Sequence, residues 1–195
     1  MEYRLSLPIS EEEILKIKAG DVLYIDGTVV TARDEAHKKA IEMYDNGEKL
    51  PVDFSKVAVF HCGPIIKKEG EKWKVVAAGP TTSSRMELFE YDFIKRFGTR
   101  LIIGKGGMGS KTTKACKEFK AVYAAFTGGA AVLAANAIKK VKEVYWLEEL
   151  GMPEALWVME VESFGPLTVT IDAYGRNLTE EVKQKAREIA KKIDF

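Results

Sequence analysis

The sequence predicts a single α/β domain in which a mixed β-sheet is flanked by helices. From Leu101 onward, short apolar runs alternate with helical segments, as expected for a parallel sheet covered by helices. The N-terminal half is richer in β-branched runs separated by glycine turns. No repeat, linker or low-complexity stretch divides the 195 residues. We therefore expect one domain over residues 1–195.

The composition is that of a soluble globular protein. Hydrophobic residues make up 46%, charged residues 30%, and the formal net charge is +1. The composition lacks the excess of positive charge that is typical of proteins that bind nucleic acids or membranes, so we expect neither partner. The N-terminus has no signal-peptide pattern, and no apolar run approaches the roughly 20 residues that span a bilayer. The predicted location is the cytoplasm, and the predicted partner is a small molecule or another protein.

The cysteines limit the metal chemistry that this chain can perform alone. Cys62 and Cys116 lie far apart and form no Cys-x-x-Cys pair. Neither a zinc site nor an iron–sulfur cluster can be assembled from these two thiols, so we predict no metal site in this chain. Free thiols agree with a reducing compartment.

The first elements are predicted from caps, turns and periodicity. Ser10 and Glu13 match a capping box, in which each side chain satisfies a free amide of the other residue, and this opens a short helix. The β-branched run 22–32 contains Asp26-Gly27, a strong turn signal, and is predicted to form a hairpin of two strands. Apolar residues at helical spacing predict a helix over 34–46.

Two strands and a long helix are predicted in the middle of the chain. The strands cover 56–60 and 73–78, and each is followed by a Gly-Pro pair. A charged turn is expected at 67–72 between them. Apolar residues recur at helical spacing up to Phe97, which predicts one helix beginning near Thr82 or Ser83.

The C-terminal half is predicted from alternating apolar runs and glycine loops. A β pair is expected to close around Gly165-Pro166, and a C-terminal amphipathic helix is marked by apolar residues from Leu178 to Ile193. The predicted elements are a strand from Leu101, helix 110–119, strand 121–125, helix 130–138, strand 141–147 and strands 156–162 and 167–172.

The segment Gly79–Met86 is the first candidate site. It carries four hydroxyl residues and Arg85 where a predicted strand ends and a helix begins. Free amides and the positive end of the helix dipole favour an anion there, and an arginine can grip a carboxylate at two points. The alternative is an ordinary N-terminal cap, which routinely uses Ser or Thr. The consecutive Thr81 and Thr82, followed by an early arginine, favour the functional interpretation.

The second candidate is the glycine-rich loop Gly104–Thr112. Glycines let the main chain approach an anion closely, and Lys105 supplies a point charge. A phosphate-binding P-loop is one interpretation, but Lys111 stands one residue late for that motif, a slip of about 100° around a helix. A plain glycine turn is the third possibility.

Arg33 and His37 form a third and weaker candidate. Arg33 immediately precedes the predicted helix 34–46, and His37 lies one turn further along. Alone, such a histidine is more often a core or surface residue than a catalyst. His61-Cys62 at a strand end is at most half a metal site and is interpreted as packing.

Three motifs in this order carry a resemblance to a known family. They are GDVxY with GTxxTARDxAHK (Gly20–Lys38), GPTTxxRM (Gly79–Met86) and GKGGM (Gly104–Met108). Together they resemble the β subunit, or C-terminal domain, of class I fumarate hydratases and L-tartrate dehydratases, and the likeness covers nearly the whole chain. The resemblance implies a swivelling β/β/α domain. His61-Cys62 stands before Gly-Pro where an aromatic residue is more usual.

The resemblance also implies a hydro-lyase reaction. In that family an α subunit holds a [4Fe–4S] cluster through three cysteines, and water is reversibly added to or removed from a four-carbon dicarboxylate. The expected partner is therefore a cluster-bearing α subunit, and this chain would bind no cofactor itself. Fumarate or malate is the first expected substrate and L-tartrate the next. A P-loop nucleotide-binding protein and a non-catalytic anion-binding domain stay open as alternatives.

The resemblance assigns roles to particular residues. Arg33, Arg85 and Lys105 would bind the substrate carboxylates, with Thr82 assisting, because a dianion needs two or more fixed cations. Thr81 would be the catalytic proton-transfer group, and it would need nearby cations to ease its deprotonation. A supporting role is expected for His37, Gly104 and Gly106.

Overall fold

A computed structural model describes residues 1–192, which contain nine strands and seven α-helices. The strands are β1 (Glu2–Ser6), β2 (Val22–Thr31), β3 (Ala58–Phe60), β4 (Ile65–Glu69), β5 (Lys72–Ala77), β6 (Leu101–Gly104), β7 (Val122–Phe126), β8 (Ile138–Tyr145) and β9 (Leu156–Ile171). The helices are α1 (Glu11–Lys16), α2 (Asp34–Asp45), α3 (Glu90–Phe97), α4 (Ser110–Phe119), α5 (Ala131–Ala137), α6 (Leu147–Leu150) and α7 (Leu178–Ala190). Two 3-10 helices cover Phe54–Lys56 and Ser83–Leu88.

Seven strands form a mixed sheet in the order β1-β2-β3-β6-β7-β9-β8. The neighbours from β1 to β7 are parallel, whereas β9 is antiparallel to β7, to β8 and also to β2. Because β9 pairs with both β2 and β7, the strands β2, β3, β6, β7 and β9 close into a ring. Phe60, Phe126 and Phe164 are buried together in one core cluster, with ring centroids 5.2–6.3 Å apart. The prediction of a mixed sheet with flanking helices is confirmed, while the swivelling-domain name stays a prediction.

Both predicted hairpins in the long β segments are wrong. Residues 22–31 form the single strand β2, and the predicted β pair around Gly165-Pro166 is the single strand β9. The glycines mark close approach and not a reversal: a Cβ on Gly27 would lie 2.9 Å from Leu7 Cβ, and one on Gly165 would lie 2.6 Å from the Leu23 carbonyl oxygen. The pairing of β2 with β9 also shifts register beside Gly27. Glycine within a strand commonly has this meaning.

Two predictions in the middle of the chain need correction. The charged segment 67–72 is not only a turn, because β4 and β5 form a hairpin that reverses at Gly70, whose φ of +63° suits glycine. The single helix predicted to reach Phe97 is a 3-10 helix, Ser83–Leu88, followed by α3. The predicted strand 56–60 begins only at Ala58, since a 3-10 helix covers Phe54–Lys56.

The other predicted helices are found where expected. The capping box of α1 is present, α4 has the predicted bounds, and α7 begins at Leu178, although Ile193 lies outside the described residues. The apolar positions Val182 and Ile189 of α7 are 67% and 60% exposed, so residues 1–192 leave this part of its predicted apolar face unburied. Within residues 1–192, no helix combines the length and apolarity that crossing a bilayer requires.

Candidate functional site

Arg33 lies at the junction between β2 and α2. It is the N-cap residue of α2, and its Nε lies 3.1 Å from Oε1 of Glu154. The guanidinium packs against the main chain of Gly63, where an added Cβ would be only 2.6 Å from Arg33 Nη1. Burial raises the pKa of Glu154, while Arg33 opposes this rise. The arginine is thus held between a carboxylate and a glycine that leaves room for it.

Arg85 connects the segment after β5 to the start of α2. Its Nη2 donates to Asp34 Oδ2 at 2.9 Å and approaches Thr81 Oγ1 at 3.4 Å. The backbone N–H of Thr81 donates to the His61 carbonyl at 2.7 Å, which fixes this segment against the end of β3. The Thr81 side chain is partly exposed. Arg85 therefore lies beside Thr81 and next to the residue that follows Arg33.

Lys105 follows β6 and is tied to the same segment. Thr82 and Lys105 form an isolated parallel bridge, in which Ser83 N–H donates to the Lys105 carbonyl at 3.1 Å. The Lys105 N–H in turn donates to Ser83 Oγ at 3.1 Å. Lys105 is partly buried and Thr82 is exposed. Ser83, which stands at the first unspecified position of the GPTTxxRM motif, is the residue that joins the two segments.

Continuous contacts thus bring the predicted site residues together. Arg33 precedes Asp34, Asp34 pairs with Arg85, Arg85 reaches Thr81, and Thr82 bridges to Lys105. Guanidinium groups in such a setting can hold carboxylates through charge-assisted bonds. The roles of the individual side chains stay a prediction.

The threonine hydroxyls are not used as helix caps. Thr82 is the N-cap residue of the Ser83–Leu88 helix but makes no side-chain capping bond. That helix has six residues and 3-10 geometry, so the α-helical dipole expected at this point is absent. The cap interpretation is not what the structure shows, and arginine and lysine side chains supply the positive charge here.

The glycines of the Gly104–Thr112 loop allow neighbouring side chains to pack closely, in addition to the close approach of an anion expected from the sequence. A Cβ on Gly104 would lie 1.8 Å from Ser83 Oγ, so a side chain cannot fit there without movement. Gly106 has φ +77°, a conformation that favours glycine, and its carbonyl accepts a bond from Tyr123 Oη at 3.0 Å. Both glycines support the position of Lys105 between them.

A carboxylate of this chain accepts hydrogen bonds from the backbone N–H groups that a P-loop would offer to a phosphate. Glu87 accepts from the N–H groups of Gly109 at 2.7 Å, Lys111 at 2.9 Å and Thr112 at 3.2 Å, and from the Thr112 hydroxyl at 2.7 Å. The N-terminus of α4 is therefore already satisfied by an anion. This geometry disfavours the nucleotide-binding alternative.

A fully buried acid–imidazole cluster lies beneath the site. Glu90 Oε2 is 3.1 Å from His61 Nε2 and 3.6 Å from His37 Nε2, and all three side chains have 0% exposure. Burial would raise the pKa of Glu90, but the two imidazoles together hold it below its ordinary value. Burial lowers the pKa of His37, and Glu90 opposes that change. The sequence reading assigned His61 to packing and missed Glu90, although Glu90 falls on the apolar face shared by Met86, Phe93 and Phe97.

Neither cysteine has the surroundings of a reactive thiol. Both are free and buried. Burial raises the pKa of Cys62 to about 12, with Arg33 opposing the change, and burial also raises the pKa of Cys116. Because only thiolates ligate iron well, these side chains are unsuited to holding a cluster.

A comparison with known families decides which family the chain belongs to. A model described as the fumarase C-terminus matches residues 2–182. The chain belongs to the fumarase C-terminal family. As a member, it is the counterpart of the β subunits of class I fumarate hydratases and tartrate dehydratases, as the three sequence motifs predicted.

Curated members of the fumarase C-terminal family match along almost the entire chain. The L(+)-tartrate dehydratase subunit beta of Escherichia coli (strain K12) is 48% identical over 184 residues, covering 94% of this chain and 90% of that protein. A Methanocaldococcus jannaschii protein provisionally named as the same subunit is 46% identical over 188 residues, covering 96% of each. A provisionally named class I fumarate hydratase of Geobacillus stearothermophilus is 43% identical over 185 residues, but these form only 35% of that longer protein.

Proposed function

We propose that this chain is the β subunit of a [4Fe–4S]-dependent hydro-lyase acting on a four-carbon dicarboxylate. The observation that supports the proposal is the run of contacts from Asp34, which directly follows Arg33, to Arg85, from Arg85 to Thr81, and from Thr82 to Lys105 through a backbone bridge. The names of the relatives support the reaction class. A reducing cytoplasm, which the free thiols suggest, would suit such an enzyme.

The cations of this chain bind the substrate in this proposal. A dicarboxylate carries two negative charges, and the three cations can bind and orient its two carboxylate groups. Arg33 and Arg85 also have carboxylate neighbours, Glu154 and Asp34, which keep the guanidinium groups in place before substrate arrives. Fixed orientation lowers the entropic cost of reaching the transition state.

Thr81 is proposed to move the proton at the reacting carbon. Its Oγ1 lies 3.4 Å from Arg85 Nη2, and a nearby positive charge favours the deprotonated form of an acidic group. A threonine hydroxyl is a weak base on its own, so we assign the remaining assistance to a carboxylate of the partner subunit. Thr82 contributes a hydroxyl to the carboxylate contacts.

The cluster belongs to the partner subunit in this proposal. The two thiols of this chain are buried and have raised pKa values, so they do not fit the group. When bound in the complex, the cluster supplies a Lewis acid for the hydroxyl that leaves as water. The substrate is fumarate or malate in the sequence-based expectation and L-tartrate in the names of the two-subunit relatives, so both are tested.

Activity of the two-subunit complex tests the proposal. The chain is co-expressed with its cluster-bearing partner, reconstituted without oxygen and assayed with L-tartrate, malate and fumarate. Arg85→Ala should lower kcat/KM by about 100-fold or more, equal to about 2.7 kcal/mol of transition-state stabilisation, because a substrate-binding cation is lost.

Arg96→Ala is the matched control for this experiment. Arg96 also pairs with carboxylates, Asp45 and Asp92, but it lies near the end of α3, and within residues 1–192 its ion pairs and hydrogen bonds join it to none of the site residues. Its variant should keep the activity of the wild type. An active complex in which Arg85→Ala behaves like Arg96→Ala would remove this chain from substrate binding, and a complex inactive on all three acids would overturn the reaction class.

A further inference from the structure

The buried cluster of Glu90, His61 and His37 is connected outward to the cation site. Its members come from three elements that meet below the site: α3, the end of β3 and α2. None of the facing atoms, His37 Nε2, His61 Nε2 and both Glu90 oxygens, makes a well-aligned hydrogen bond. Such buried polar atoms are costly, so their grouping calls for a functional or electrostatic reason.

The second ring nitrogen of each histidine contacts a group that holds the main chain of a predicted substrate-binding residue in place. His37 Nδ1 lies 2.7 Å from the Arg33 carbonyl oxygen and must donate to it. His61 Nδ1 lies 2.9 Å from Ser83 Oγ, which accepts from the Lys105 N–H at 3.1 Å. The two paths end at the main chain of Arg33 and of Lys105.

The carboxylate of Glu90 faces both imidazoles and limits their movement. Its carboxylate lies within 3.6 Å of both Nε2 atoms in a site that water does not reach, and its attraction for an Nε2 that carries a proton is weakly screened there. The aromatic rings of Phe89 and Phe93 pack on His37 and limit its other orientations. Removing the charge would leave both imidazoles without their counter-group.

We propose that Glu90 is a positioning residue that acts through His61 and His37 to set the main chain of Lys105 and Arg33 for dicarboxylate binding. This inference rests on the proposed function of the cation site. A metal ion is the competing explanation, because the donor atoms lie within 4.8 Å of one another. The positioning role is favoured because three donors fall short of a closed zinc site, which has four, and complete burial leaves no place for a solvent ligand.

The test compares Glu90→Gln with Asp172→Asn in the reconstituted complex. Asp172 is also a buried carboxyl, and it accepts bonds from Ala19, Tyr174 and Arg176 away from the cation site. Glu90→Gln should raise KM for the dicarboxylate about tenfold with a smaller change in kcat, because displaced cations weaken binding. Asp172→Asn should lose stability and keep KM.

A second variant and a second readout keep the proposal falsifiable. Ser83→Ala leaves Glu90 intact and should give the same rise in KM. Hydrogen exchange of the Lys105 amide, measured on the full-length chain without turnover, should become about tenfold faster in Glu90→Gln and Ser83→Ala but not in Asp172→Asn. This readout still applies if the complex proves inactive on dicarboxylates, so failure of the proposed function is recognised separately.

Three outcomes would overturn the inference. The first is an unchanged KM in an active Glu90→Gln complex, which would make the cluster purely structural. The second is unchanged exchange of the Lys105 amide in Glu90→Gln. The third is a stoichiometric metal beyond the iron of the partner's cluster, found by elemental analysis of the wild-type complex and lost in Glu90→Gln, which would make the three residues a metal site.

Discussion

Gly104 shows how a single residue without a side chain can organise the site. A Cβ at this position would lie 1.8 Å from Ser83 Oγ, 3.0 Å from Tyr123 Oη and 3.1 Å from His61 Nδ1. The space that a side chain would fill is therefore used by three polar groups. Those groups link the end of β6 to the segment that carries Thr81 and Arg85.

Gly104→Ala should destabilise the chain. The added methyl group overlaps Ser83, and relieving such overpacking typically costs about 1–3 kcal/mol. Chemical denaturation measures the loss as a lower midpoint. Gly128→Ala is the control, because its Cβ would make an ordinary 3.5 Å contact with Lys105 Cδ, and its midpoint should change much less. Equal midpoints for the two variants would contradict the packing of this site.

The site residues differ in how easily they can be identified from the sequence. Arg85 and Lys105 stand near hydroxyls and glycines at element junctions, so local pattern made them candidate anion ligands, whereas Arg33 was a weak candidate until the family resemblance gave it a role. Glu90 could be found only by noticing a carboxylate on the apolar face of a helix. Ser83 carries no such mark, because its role depends on a contact with Lys105, 22 positions away in the sequence.

At the scale of elements, the first helix depends on its capping box. The Ser10 N–H and Oγ bond to Glu13 Oε2 at 2.9 and 2.8 Å, and the Glu13 N–H donates to Ser10 Oγ at 3.2 Å. Ile14 of the same helix is fully buried, so the cap holds a core residue in place. Ser10→Ala should therefore destabilise the chain by about 1 kcal/mol at neutral pH, measured by chemical denaturation.

The capping box of α1 also makes the stability of the fold depend on pH. The Ser10 backbone N–H, and then its hydroxyl, lower the pKa of Glu13 below its ordinary value. A carboxylate with a lowered pKa stabilises the fold above about pH 4.3, and this contribution is lost as the pH falls through the pKa of the folded state. The stability difference between wild type and Ser10→Ala should shrink in that acidic range. A difference that stays constant down to pH 3 would show that the contribution of the Ser10 hydroxyl does not depend on the Glu13 charge.

Element boundaries were predicted best where local chemistry decides them. The helices α1, α2 and α4 follow from caps and periodicity, and the structure has them. Asp26-Gly27 and Gly165-Pro166 were misread because a glycine needed for close approach within a sheet has the same local sequence as one needed for a turn. The long pairing of β2 with β9, which decides between the two, joins residues 128 to 146 positions apart.

The whole molecule explains why distant motifs meet. Arg33, His61 and Lys105 each follow one of the strands β2, β3 and β6, which are parallel neighbours. The carboxyl ends of neighbouring parallel strands lie at the same edge of a sheet, which is where α/β folds place ligands. The sequence predicted the parallel sheet, but strand order depends on long-range pairing, so the closeness of the segments that carry Arg33 and Lys105 could be expected only from the family resemblance.

A crystal structure of the two-subunit complex with bound L-tartrate would test the central claim most directly. The account predicts carboxylate contacts from Arg33, Arg85 and Lys105 and places Thr81 Oγ1 beside the reacting carbons. Tartrate bound at a site that these side chains do not reach would contradict the account.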